Sequence, residues 1–157
     1  MAAKHGIDAF LARNTGTFAS PTWVELTGVN EVTPNGGWDM AEIITRASRV
    51  KFGAKTLIDV GFTFRILCDD ADTGYTALMT AFRSLTATID LLLLDGPVTT
   101  LGSFGYRFIA QLGQGAQPQP PDDVLWREFT ATPYPQSSDV PQFAEVTTGP
   151  VITYTAI

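Results

Sequence analysis

The stretch Thr56-Leu57-Ile58-Asp59-Val60-Gly61-Phe62-Thr63-Phe64-Arg65-Ile66-Leu67-Cys68 decides how this chain folds. Ile58, Val60, Phe62, Phe64, Ile66 and Cys68 fall on one side of an extended chain, and Asp59, Gly61, Thr63, Arg65 and Leu67 on the other. A period of two kept this strictly describes a strand with one buried face. Asp69-Asp70-Ala71-Asp72 then stops the strand and offers a helix cap. A carboxylate at that position accepts from first-turn amides and faces the positive end of the helix dipole. From Thr73 the period lengthens: Tyr75, Leu78, Met79, Phe82 and Leu85 follow helical spacing, which predicts one amphipathic helix over about 72–85. Ile89 to Leu94 resumes as a strand, closed by the turn residues Asp95-Gly96-Pro97.

Working outward, residues 1–21 read as an N-terminal arm, mobile before assembly, with at most a short strand or turn. Thr22 to Val29 reads as a strand. Residues 30–54 read as a long loop, because Pro34-Asn35-Gly36-Gly37 is turn chemistry. Ser103–Leu112, Asp122–Tyr134 and Val151–Ile157 supply further strands around a proline-rich loop at Gly113–Pro121. The sum is a mainly β single domain over 1–157: a sandwich or barrel of about seven strands with one flanking helix.

Composition narrows the function. Ten basic residues against 16 acidic give a net charge of −6, which argues against a groove that grips phosphates. The single cysteine, Cys68, rules out a disulfide framework. No apolar run approaches the 18 or so residues of a membrane span, and residues 1–6 do not read as a signal peptide, so synthesis in the cytoplasm is expected. Apolar residues make up 45% of the chain and charged ones only 17%, a composition that anticipates surface covered by partners.

Catalytic chemistry finds little support. The one histidine, His5, lies in the arm without a frame to position it. Asp69, Asp70 and Asp72 carry the oxygen donors calcium prefers but lack the glycine offset and distant Glu of a calcium loop, and helix capping accounts for them. Gly102-Ser103-Phe104-Gly105 and Pro34-Asn35-Gly36-Gly37 have no phosphate-loop lysine. The expectation is therefore no enzyme, no metal and no cofactor.

Two features point to assembly instead. In Ile89-Asp90-Leu91-Leu92-Leu93-Leu94, Leu92 and Leu94 make the second face of the strand as apolar as the first. That pattern fits either a strand buried on both sides within the chain or one whose outer face meets another subunit. The 30–54 segment combines Trp38, Met40, Ile43 and Ile44 with Arg46, Arg49 and Lys51, more than a solvated connector needs. Those nine residues are the candidate assembly interface.

The order of elements resembles the tail tube proteins of long-tailed bacteriophages. The resemblance runs through Thr22-Trp23-Val24-Glu25-Leu26, the 30–54 segment, Thr56–Phe64, the helix opened by Asp72, Thr88–Asp95, Gly105-Tyr106-Arg107-Phe108, and the Asp123–Tyr134 strand. It implies a virion tail subunit that forms homo-hexameric rings stacked into a tube. DNA would pass through the lumen without specific binding, alongside other tail proteins and without insertion of the subunit into a membrane. Two alternatives stay open. One is a tail terminator, a baseplate hub protein or the tube of a contractile secretion machine. The other is a monomeric ligand-binding β-barrel with a pocket lined by Phe62, Phe64, Tyr106 and Phe108.

Overall fold

The computed structural model describes residues 9–43, 52–114, 124–135 and 138–157. The strands are β1 (Phe10–Asn14), β2 (Trp23–Glu25), β3 (Val29–Ile43), β4 (Phe52–Leu67), β5 (Ile89–Leu94), β6 (Phe104–Gln114), β7 (Trp126–Pro133), β8 (Gln142–Thr148) and β9 (Val151–Ala156), with one helix, α1 (Thr73–Arg83). All pairings are antiparallel, in the order β2-β1-β5-β6-β7-β4-β3.

The sheet forks at β6. Its first residues, Phe104–Arg107, pair with β8, whereas Ala110–Gln114 pair with β7. Since β5 runs along residues 105–110, β7 and β8 must share the opposite edge. One branch curls back through β7 and β4; the other continues into β8 and β9. Among the described residues the sheet ends at β2, β3 and β9, so it does not close into a barrel.

Curling brings the apolar face of β4 onto β6. Phe62, Phe64, Ile66, Phe108 and Phe129 are all fully buried, as the alternation from Ile58 to Cys68 predicts. Ring centroids of Phe62 and Phe108 lie 5.5 Å apart, and those of Phe64 and Phe129 5.8 Å. The helix packs against this core with Tyr75, Leu78, Met79 and Ala81, while the Phe82 ring meets Phe129 edge-on at 5.7 Å. Asp72 is its N-cap and accepts from the Gly74 amide at 2.8 Å.

Two expectations need correction. Leu85 is fully exposed because the helix stops at Ser84, whose Oγ accepts from the Thr86 and Ala87 amides. That local bonding competes with another helical turn. Residues 30–43 and 52–54 are strand rather than loop: β3 and β4 pair from Val29 opposite Ile66 to Ile43 opposite Phe52, and residues 44–51 lie outside the described residues. Pro34 is tolerated because β3 is an edge strand, where a missing amide donor can face the unpaired side. Residue 10 onward of the expected arm contributes β1, with Leu11 and Ala12 buried between β2 and β5; residues 1–8 lie outside the described residues.

Candidate assembly surface

The hairpin of β3 and β4 has two parts. β4 pairs with β7 only from Phe62 to Leu67, so residues 52–59 pair with β3 alone. At strand rise, those eight residues extend about 25 Å beyond the part that the sheet supports. A two-stranded ribbon of this kind is marginally stable by itself in water. Register shifts between Val29 and Glu31 and between Trp38 and Met40 add local twist. At its base an exposed ion pair, Arg65 to Glu31 at 3.4 Å, spans the two strands.

The ribbon carries several of the residues singled out in the sequence. The backbone of Trp38 pairs with Ile58, Met40 is 60% exposed, and Ile43 sits opposite Phe52 in the register. Ile44, Arg46, Arg49 and Lys51 lie outside the described residues. Leu92 and Leu94 are elsewhere. Both are fully buried by the chain's own Ala144 and Val146, with Phe10, Trp23, Val98, Ile152 and Tyr154 packed around them. Their two-sided pattern marks a second core inside the subunit, and no neighbouring copy is needed to cover them.

The ligand-barrel alternative loses its pocket here. Phe62, Phe64 and Phe108 have no exposed surface and pack against one another. Among the described residues, no group of three or more His, Cys, Asp or Glu side chains could hold a metal ion. No described helix is long and apolar enough to cross a membrane.

Sequence reasoning missed the strongest polar feature. Arg107 is 2% exposed and forms a two-pronged contact with Asp90, with Nη2 to Oδ2 at 2.7 Å and Nε to Oδ1 at 3.2 Å. The register places Leu92 opposite Arg107 and Asp90 opposite Ile109, so the two charges are diagonal neighbours on one face. Arg107 Nη2 also donates to the Phe18 carbonyl at 2.8 Å, and the Phe18 ring stacks 3.8 Å from the guanidinium carbon. The rings of Tyr154 and Trp23 flank it at 4.8 and 5.1 Å, joined to each other by a 2.7 Å bond from Trp23 Nε1 to the Tyr154 hydroxyl. Burial raises the Tyr154 pKa above its ordinary value of 10.0, while the Trp23 bond and the Arg107 charge partly oppose that rise. The available signal was Asp90, the lone charge within an otherwise apolar run.

No family model matches the sequence, and no curated protein matches it. Solved structures do. A chain in the virion of a native gene transfer agent particle superposes with a TM-score of 0.55 at 9% identity, covering 98% of this chain and all of that one. A chain in the tail of the empty gene transfer agent particle, refined with C6 symmetry, gives a TM-score of 0.53 at 10% identity, again over 98% and 100%. The chain has the fold of a gene transfer agent tail chain. At this identity the likeness is one of fold, and it covers 98% of the chain in both cases.

Proposed function

We propose that this chain is the structural subunit of a phage-like tail tube, six copies to a ring, with rings stacked into a conduit for DNA. The end-to-end fold likeness to a chain from a tail of C6 symmetry carries this reading. The subunit is a building block with no catalytic role; other tail proteins complete the virion, and DNA passes along the lumen without specific binding. Synthesis in the host cytoplasm precedes assembly, and no membrane insertion is involved.

The β3–β4 ribbon is the assembly element in this reading, and Trp38, Met40, Ile43, Ile44, Arg46, Arg49 and Lys51 are its contact residues. An exposed methionine on a ribbon paired only with itself supports this. Each large apolar side chain that becomes buried contributes on the order of 1.5–3 kcal/mol. Fixing the backbone costs about 1–2 kcal/mol per residue. A ribbon already paired has lost most of that freedom, so less of the contact energy is spent on ordering.

The test is negative-stain microscopy of the concentrated protein beside a variant in which residues 37–59, the ribbon beyond the paired Gly36 and Val60, are replaced by a tight turn. Tubes of sixfold rings are expected from the parent chain. The shortened chain should keep a β-type far-ultraviolet circular dichroism spectrum and build no tubes. A parent chain that stays monomeric at millimolar concentration would overturn the tube. A shortened chain that still forms tubes would remove the ribbon's role while leaving the tube standing.

A further inference from the structure

Alternation along β4 sends Phe62, Phe64 and Ile66 into the core and so turns Gly61, Thr63 and Arg65 to the other side of the sheet. Pairing carries that side across four strands in three rows. Glu31 of β3 and Glu128 of β7 stand opposite Arg65 from its two sides. Thr33 and Thr130 stand opposite Thr63, with Gly113 of β6 beyond Thr130. Asn35 stands opposite Gly61, and Thr132 opposite Gln111. Asn35 Nδ2 also donates to the Thr63 hydroxyl at 3.2 Å, which ties two rows together.

This face differs from the rest of the described surface in two ways. The exposed large apolar side chains, such as Leu101, Phe104 and Val151, lie outside the three rows. Hydroxyls, amides and glycines fill two of the rows, so the face is hydrated and gives bases nothing to stack on. Its cation is also covered. Arg65 Nη1 lies 3.4 Å from Glu31 Oε2, and Glu128 faces Arg65 from the opposite strand. Two carboxylates against one guanidinium leave that row net negative. A surface holds a polyphosphate by setting Lys and Arg against it and releasing counterions. Arg65 spans β3 and β4 at the base of the ribbon, which is a structural reason to keep a cation there and a reason to silence it.

Resting on the tube proposed for this chain, we infer that the four-strand face of these rows is the wall that DNA passes. Glu31 and Glu128 are the residues that set its behaviour, because they neutralise Arg65 and let a duplex move without being held. Without them the wall carries one bare guanidinium per copy, six to a ring, at the same height along the conduit.

The test has two arms, both on the full-length chain. In the first, Thr132→Cys, at an exposed position, is made in a Cys68→Ser background. Free subunits and assembled tubes are treated with N-ethylmaleimide and with a maleimide carried on a large globular protein. Position 132 should take both reagents in the free subunit and only the small one in tubes. In the second arm, tubes of the parent chain, of Glu31→Gln with Glu128→Gln, and of that pair with Arg65→Gln are sedimented with short duplex DNA. The parent should carry down none. The glutamine pair should hold DNA at about 50 mM salt and lose affinity about 10³-fold by about 200 mM, as six phosphate contacts would. Adding Arg65→Gln should abolish the retention. Absence of tubes overturns the tube and this inference with it. Tubes in which position 132 takes both reagents or neither, or in which the glutamine pair holds no more DNA than the parent, overturn this inference alone. Retention that survives Arg65→Gln does the same. Where the glutamine chains fail to assemble, the cysteine arm decides.

Discussion

Replacing Asp90 by alanine removes three hydrogen bonds at once: those from Arg107 Nε, Arg107 Nη2 and Asn14 Nδ2. The guanidinium that remains is 2% exposed and, among the described residues, keeps as hydrogen-bond partners the Phe18 carbonyl and a long contact of 3.5 Å to Gln142 beside the three rings that face it. A charge stranded in this way destabilises a fold by about 3–5 kcal/mol. Total stabilities of such domains are about 5–15 kcal/mol, so the loss is a large fraction of the whole. For a chain of this length it corresponds to a fall in Tm of roughly 6–20 °C. Urea unfolding of Asp90→Ala, Arg107→Met and the pair Asp90→Leu with Arg107→Met, read as a cycle, tests the reasoning. The double variant should recover to within about 1 kcal/mol of the parent chain, because an apolar pair leaves no charge behind. If Asp90→Ala costs less than about 1 kcal/mol, as exposed pairs do, the cluster is wetter than its geometry indicates.

Alkaline stability should fall from about pH 10 upward. Burial raises the pKa of Tyr154, and burial together with the Cys68 contact raises that of Tyr75, so the folded chain keeps protons that the unfolded chain releases. That contribution is complete below pH 10 and is lost as pH climbs through the folded values; Tyr154→Phe should flatten the pH dependence of urea midpoints there. Asp72→Ala should cost about 0.5–2 kcal/mol by loss of the cap, measured by urea unfolding, whereas chelator should leave Tm unchanged because Asp69 and Asp72 accept from the Ala71 and Gly74 amides. Gly105→Ala should fail to give folded protein by circular dichroism, since its Cβ would run into the Leu93 carbonyl. Phe62→Ala should cost about 3–5 kcal/mol in the same unfolding assay, as its ring meets both Phe64 and Phe108.

The first core was legible because its strand alternates without interruption and its helix is capped by a residue that can do little else. Phe62, Phe64 and Ile66 had to share a face, and Asp72 had to cap. The ribbon was misread for an equally local reason. Pro34 and the glycines at 36 and 37 carry turn propensity, but pairing with Phe62, Val60 and Asp59 holds them extended. Gly36 is also the place where a Cβ would sit 3.2 Å from the Asp59 carbonyl oxygen, so a residue without one suits that close approach in a strand. The double apolar face of β5 was visible, but what covers it was not, because β8 lies some 50 residues away and only the fork at β6 brings it near. The Arg107 cluster depends on a diagonal neighbour set by register and on a strap nearly 90 residues upstream. Periodicity is blind to both.

The hydrogen bond between Trp23 and Tyr154 joins positions 131 residues apart. It therefore has a consequence for biosynthesis. While the ribosome is still making β6, Arg107 has Asp90 and the Phe18 strap available, but the Tyr154 wall of its cavity does not exist. Leu92 and Leu94 wait in the same way for Ala144 and Val146. Pairings this distant in sequence form late and slow the folding of β-rich chains. The nascent chain thus passes through a stage in which its first core can close while its second stands open to solvent. Chains that stop before β8 should therefore be the species that chaperones and proteases meet.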